Sequence, residues 1–340
     1  MRPVVLPDLA APLAPLTTLR LGGPARRLIE AESAEELVAA VRGADEPVLV
    51  MGGGSNLVIA DAGWPGVAVR ISSRGRRVER RPDGSVLLTV EAGEDWDDVV
   101  AATIADGFGG LECLSGIPGR TGAVPVQNVG AYGVEIADAL VDVDLWTDGV
   151  VRRVAAADLG LAYRTSVLKG RSDAIVLRVR LALPGDDRSA PIRYAELAAT
   201  LGVAPGDRVP AAVAREAVLT LRRRKGMVLD AAEHDTWSAG SFFTNPVLPS
   251  APADAPTWPA GPGRVKVSAA WLIERSGFYR GFPGPGGRVA LSSRHVLALT
   301  NRGGGTTADL LALATQVRDG VQARFGVALT PEPVLVGCSL

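Results

Sequence analysis

The run Gly52-Gly53-Gly54-Ser55-Asn56 stands between two short apolar segments, Pro47 to Met51 and Leu57 to Ala60, and this order restricts the fold more than any other feature. The apolar residues after the glycines are bounded by Asp61 and Gly63, so they predict a strand, as do the residues before them, read as a buried strand. A Walker phosphate loop needs Gly-Lys-Ser/Thr opening into a helix. A doubly wound dinucleotide turn needs Gly-x-Gly-x-x-Gly opening into a helix, with an acid about 20 residues on. Here Leu57 takes the third glycine position and Ser72 stands near that of the acid, so neither motif is present.

A second glycine-rich region runs from Gly116 to Gly133. Glycines let backbone amides come close to a ligand, and diphosphate is the natural candidate, although tight turns between strands have the same composition. Around the two loops the pattern is irregular. Ser33 with Glu36 predicts a capped helix carrying Leu37, Val38 and Val41. Pro82-Asp83-Gly84 predicts a hairpin turn, Asp95 to Ala105 a helix, Ala174 to Leu183 a strand, and Ala211 to Arg224 a helix ending in basic residues. Pro249 to Pro262 reads as an exposed loop. Thr306 to Phe325 is the clearest helix, with Leu310, Ala314, Val317, Val321 and Phe325 on one face. The order is α+β with mixed strands.

The 36 basic and 37 acidic residues nearly cancel, so no general field favours a polyanion such as nucleic acid. Cys113 and Cys338 form no Cys-x-x-Cys pair and the only histidines are His234 and His295, which argues against zinc. The N-terminus, with Arg2 as its cation and Pro7, Asp8, Pro12 and Pro15 breaking its apolar stretch, is a poor signal peptide. No uncharged apolar run approaches a membrane span. The expectation is a cytoplasmic protein without a membrane or nucleic-acid partner, acting as a monomer.

Taken together, the two loops resemble the diphosphate-binding loops of the vanillyl-alcohol-oxidase type of FAD domain. More narrowly, GGGSNLVI, SGIPGRTGAVPVQNVGAYGVE, YRTSVLKG, AGSFFTNP, AAWLIERSG and LTPEPVLVG resemble, in order and over nearly the whole chain, the motifs of the UDP-N-acetylenolpyruvoylglucosamine reductase family. The resemblance implies a two-part FAD-binding domain and a C-terminal α+β substrate domain. The expected bounds are 1–70 (rejoined by 333–340) and 71–226 for the FAD-binding parts, and 227–332 for the substrate domain. It implies non-covalent FAD, NADPH as hydride donor and a UDP-sugar substrate whose enolpyruvyl group is reduced.

Hydride addition to an alkene needs the charge on the adjacent carbon to spread into a carboxylate, which a cation must meet. Arg164 matches the family's catalytic arginine, Ser241 its proton donor to carbon, and Glu332 a third catalytic residue that relays a proton or donates a hydrogen bond. Without the motifs these residues read as a surface ion pair, a turn serine and a tail glutamate. The flavin loops supply Gly52, Gly53, Gly54, Ser55, Asn56, Gly119, Thr121, Gly122, Gln127, Asn128, Gly130, Ala131 and Tyr132 as cofactor positions. Tyr194, Lys225, Asn245 and His295 match substrate contacts, Tyr194 pointing to the type with the longer substrate domain. Three positions depart from the pattern: Arg120 replaces a small residue and either adds a contact to the FAD diphosphate or points to solvent, Thr244 replaces a lysine or arginine, and His295 the glutamine of some members.

Two other readings compete. An oxidase of small alcohols or sugars often tethers flavin through histidine, yet neither histidine lies in the N-terminal loops. A flavin- or nucleotide-binding protein without catalysis accounts for the glycines but leaves Arg164, Ser241 and Glu332 as coincidences.

Overall fold

The computed structural model describes residues 11–340; Arg2, Pro7 and Asp8, on which the reading of the N-terminus rests in part, lie outside them. The chain divides into two compact units. One contains Ala25–Gly53 and Pro65–Arg224, the other Pro12–Pro24, Gly54–Trp64 and Lys225–Leu340.

In the first unit, strand Trp64–Ile71 lies between Pro24–Ala31 and Val48–Met51, pairing in parallel with the latter. The strand expected over Pro47 to Met51 begins at Val48, and only Met51 is fully buried. It is half-buried because it is the edge strand of its sheet, with one side uncovered. Helix Ala34–Arg42 starts as expected: Ser33 Oγ accepts the Glu36 N–H at 3.1 Å, while the Glu36 carboxylate takes the Glu32 N–H at 2.9 Å. Such a cap contributes about 1 kcal/mol.

A five-stranded antiparallel sheet follows, in the order Val150–Ala155, Leu140–Thr147, Ala174–Leu183, Val86–Glu91, Arg76–Arg80. Pro82-Asp83-Gly84 makes the expected hairpin, with Gly84 at φ +84°. Asp95 caps helix Trp96–Ala105 by accepting from the Asp97 and Asp98 amides. On the central strand, Arg178 pairs with Asp144 but Val176 with Leu145, which leaves Leu177 as a bulge. The bulge switches faces. Ile175 and Leu177 pack with Leu37, Val67 and Trp146, whereas Val179, Leu181 and Leu183 pack with Trp96, Leu114 and Val218 in the unit's larger core.

The second unit has a core of Leu19, Val58, Phe242, Phe243, Leu272, Leu310, Val317 and their neighbours. Leu57–Ile59 is a strand, as expected, and pairs in parallel with Val334–Val336. Helix Thr307–Phe325 carries a full capping box between Thr306 and Asp309, and the Asp61 carboxylate accepts the Thr307 and Ala308 amides at 2.7 and 2.9 Å. Leu310, Ala314, Val317 and Val321 are buried, and Leu313 joins them. Pro249 to Pro262 is exposed but is not all loop. Thr257–Pro259 forms the outer strand of a three-stranded sheet, paired with Val265–Val267. Among the described residues no helix is long and apolar enough to cross a membrane.

Candidate active site

In the first unit the glycine-rich stretch is fastened to the turn that carries Arg164. Ala162 and Thr165 exchange both main-chain hydrogen bonds, so Tyr163 and Arg164 form the two corners of a tight turn. Three bonds tie that turn to the loop. Arg164 Nη2 donates to the Gly130 carbonyl at 2.6 Å, Asn128 Nδ2 to the Ala162 carbonyl at 3.1 Å, and Ser166 Oγ to the Val126 carbonyl at 2.6 Å. Asn128, Tyr132 and Arg164 all hold positive φ, at +47°, +51° and +55°. Backbone strain in non-glycine residues costs about 1–3 kcal/mol and concentrates at functional sites. Asn128 is fully used, because it also donates to Glu135 and accepts from the Ala137 amide. Its part in the loop is scaffolding.

The other cofactor positions of this unit separate into two kinds. Gly53 and Gly119 touch main chain to main chain, so that a Cβ on Gly53 would lie 2.9 Å from the Gly119 Cα. Thr121 and Gly122 face inward: their amides donate to the Glu94 and Ala92 carbonyls, the Thr121 hydroxyl also reaches Glu94, and both residues are buried. Gln127, Gly130 and Ala131 are half-buried. The Tyr132 ring meets Tyr194 edge to face at 5.4 Å, and burial pushes the Tyr132 hydroxyl up to about 12. The basic end of helix Ala211–Arg224 is not uniformly solvated. Arg223 and Arg224 are exposed, but Arg222 turns in and donates to the Gly116 carbonyl at 3.1 Å.

Arg120 does not point to solvent. Its side chain is 13% exposed, it lies against Gly52, and its Nε is buried without a partner. A cradle of touching glycines beside a guanidinium whose buried Nε–H has no acceptor fits an anionic cofactor segment such as the FAD diphosphate.

In the second unit Gly54 is pressed against the chain, where a Cβ would lie 2.2 Å from the Leu16 carbonyl oxygen. Ser55 and Asn56 are half-buried, and the Asn56 carbonyl accepts the Val334 amide. Phe242 and Phe243, fully buried and edge to face at 5.1 Å, anchor the segment that displays half-buried Ser241. The same segment pairs with the chain around Glu332. Thr244 N–H donates to the Thr330 carbonyl, Phe243 stands opposite Pro331, and Glu332 N–H donates to the Phe242 carbonyl at 2.8 Å. Ser241 and Glu332, far apart in sequence, thus occupy neighbouring main-chain positions. Asn245 Oδ1 is committed to the Ala269 amide at the start of helix Ala269–Arg275.

His295 follows a loop held by a residue that sequence reading passed over. Asp235, buried, accepts from Ser292 Oγ at 2.8 Å, the Ser293 amide at 2.9 Å and Arg302 at 2.7 Å; Ser292 Oγ in turn accepts the His295 amide at 3.2 Å. Nothing in the sequence around His234-Asp235-Thr236 signals this hub. Burial, with Lys225 and Arg280 nearby, pushes the His295 imidazole down to about 4. The unfolded chain therefore takes up a proton near pH 6.5 while the folded one does not until about pH 4. The resulting penalty is absent above pH 6.5, grows as pH falls through that window, and levels off below it. The loss of thermal stability between pH 6.5 and 4 should accordingly be shallower for His295→Gln than for the wild type. Equal slopes for both would remove His295 from the account.

A cavity of about 270 Å³ in the first unit, lined by Gly110, Val134, Asp138, Leu183, Pro191 and Arg193, contains none of these residues.

Comparison with known proteins is consistent along the chain. Residues 25–154 match the model of an FAD binding domain, and residues 231–336 match that of the C-terminal domain of UDP-N-acetylenolpyruvoylglucosamine reductase. The chain is 62% identical to the protein of that name from Saccharopolyspora erythraea, covering 96% of this chain and 95% of the relative. It is 53% identical to the one from Salinispora arenicola, with 99% and 97% covered. The crystal structure of UDP-N-acetylenolpyruvylglucosamine reductase from Thermus caldophilus superimposes with a TM-score of 0.67 over 99% of both chains at 27% identity.

Proposed function

The chain belongs to the UDP-N-acetylenolpyruvoylglucosamine reductase family, and from that premise we propose that Arg164, Ser241 and Glu332 carry its chemistry. It is an FAD-dependent oxidoreductase that uses NADPH to reduce UDP-N-acetyl-3-O-(1-carboxyvinyl)glucosamine to UDP-N-acetylmuramate, a step of peptidoglycan precursor synthesis. FAD, held by the loops around Gly52, Gly53 and Gly119, would supply the transfer of hydride from NADPH to the methylene carbon of the enolpyruvyl group.

The residues do the rest. Arg164 meets the substrate carboxylate and holds the charge that gathers there as hydride arrives; a guanidinium stays cationic at any working pH and binds a carboxylate through two parallel bonds. Ser241 gives its proton to the adjacent carbon. A hydroxyl is a weak acid, but an enolate carbon held against it is a strong enough base. Glu332, stiffened between Pro331 and Pro333, relays that proton or donates a hydrogen bond to the enolate. Lys225 meets the UDP diphosphate, with Tyr194, Asn245 and His295 around the sugar nucleotide. Residues 227–332 are the substrate domain, and 1–70 with 333–340, together with 71–226, hold FAD. The protein is a cytoplasmic monomer without membrane or nucleic-acid partners.

The pairing of residues 242–244 with 330–332 supports this reading most directly, because it brings the main chain of two distant motifs, those of Ser241 and Glu332, together. Purified protein should be yellow, lose its flavin on denaturation, bleach with NADPH and regain colour with the enolpyruvyl sugar nucleotide. Both substrates bring a reacting carbon to one flavin nitrogen, so varying them together should give parallel double-reciprocal lines. Intersecting lines, or flavin that stays on the denatured chain, would point to a different oxidoreductase.

A further inference from the structure

Arg120 stands in the glycine-rich loop, and its surroundings are unusual for an arginine. Its backbone is extended and conventional, at φ −107° and ψ 150°, with the carbonyl accepting from the Ala123 amide. The side chain is what lacks an account. Its stem packs on Gly52, where a Cβ would lie 3.1 Å from the Arg120 Cβ and 3.3 Å from its Cγ. Its Nε is buried with no hydrogen-bond partner.

The nearest carboxylate, Asp95, stands 3.8 Å from Nη1, beyond hydrogen-bond reach, and its Oδ1 is occupied in capping helix Trp96–Ala105. Two further arginines come near. Arg70 and Arg74 are paired with Glu30 at 2.8 Å and Glu94 at 3.1 Å, so their own charges are answered. Burial, and after it Arg74, hold the Arg120 guanidinium below its usual pKa. A buried guanidinium with an unmet donor is costly unless an anion completes it. The place where it is buried is the one where half-buried Gly53 and Gly119 meet main chain to main chain beside half-buried Gly52.

We propose that Arg120 is a cofactor-holding residue, its guanidinium meeting the diphosphate of FAD at the cradle formed by Gly52, Gly53 and Gly119. The inference rests on the assignment of these loops to FAD. It predicts that the arginine destabilises the empty protein and stabilises the loaded one.

Arg120→Met keeps the stem on Gly52 and removes the charge. Thermal unfolding of flavin-free protein should place this variant at or above the wild-type Tm, and saturating FAD should reverse the order. In titrations followed by flavin fluorescence, FAD should bind the variant roughly ten- to a hundredfold more weakly, the range of a charge-assisted hydrogen bond. The dependence of FAD affinity on salt should be shallower, and affinity for riboflavin, which has no diphosphate, should be unchanged. A variant less stable than wild type without flavin, with FAD affinity and salt dependence retained, would overturn the proposal and leave Arg120 as the structural partner of Asp95. A wild type that takes up no FAD would instead overturn the assignment of the loops, and this inference with it.

Discussion

Ser241→Ala should leave NADPH bleaching the bound flavin at the wild-type rate, while reoxidation of the flavin by the enolpyruvyl sugar nucleotide slows by about 10²–10⁴-fold, the usual worth of a positioned proton donor. The substitution removes one oxygen and keeps the Cβ. The segment's position comes from elsewhere: from Phe242 and Phe243 in the core, from the Phe242 amide donating to the Leu297 carbonyl at 2.7 Å, and from the Glu332 amide donating to the Phe242 carbonyl. None of these uses the hydroxyl. Stopped-flow traces of each half-reaction, taken separately, decide the matter. If both halves fall together, Ser241 supports flavin or loop geometry and does not deliver the proton. An unchanged second half would pass that role to the neighbouring Glu332.

What sequence reading recovered, and what it missed, follows from the range of the forces involved. Local signals were legible. Helix Ala211–Arg224 and strand Ala174–Leu183 fall where apolar spacing and basic ends place them, and Ser33 with Glu36 starts the helix it announces. The motifs located Arg164, Ser241 and Glu332 through a family pattern, but the contacts that hold these residues come from residues of no local distinction.

The bulge at Leu177 exists because one strand must face two cores, which no window of sequence around it records. Asp235 reads as an ordinary acid until Ser292, Ser293 and Arg302 are folded onto it. Thr121 and Gly122 looked like ligand-facing loop residues, yet their amides are satisfied by the strand and turn at Ala92 and Glu94. A glycine motif does not say which glycine contacts a ligand and which simply fits under a neighbouring chain. The arginines of helix Ala211–Arg224 show the same limit, since adjacent Arg222 and Arg223 have opposite environments.

Arg164 permits a test that separates chemistry from scaffolding, because its backbone and its side chain make opposite demands. At φ +55° a non-glycine residue is strained by roughly 1–2 kcal/mol. Against this stands the bond from Nη2 to the Gly130 carbonyl, worth about 1 kcal/mol net. Arg164→Gly relieves the strain and loses the bond, so its Tm should stay near that of the wild type. Arg164→Ala loses the bond and keeps the strain, so it should be about 1 kcal/mol less stable than the glycine variant.

Activity should ignore this difference. Both variants lack the cation proposed to meet the substrate carboxylate, and both should slow hydride transfer to the sugar nucleotide by about 10²–10³-fold, the cost of removing one electrostatic contact to a developing oxyanion. Reduction of the flavin by NADPH involves no such carboxylate and should change little. Arg164→Lys keeps a charge but not the planar fork, and should fall between. Calorimetry and the two half-reactions measured on the same preparations give the answer. Rates that follow the stability order, with glycine well above alanine, would make Arg164 a strut for the Gly130 loop. Rates equally low in both, with stabilities that differ, would mean that the strained turn is retained for the charge it carries.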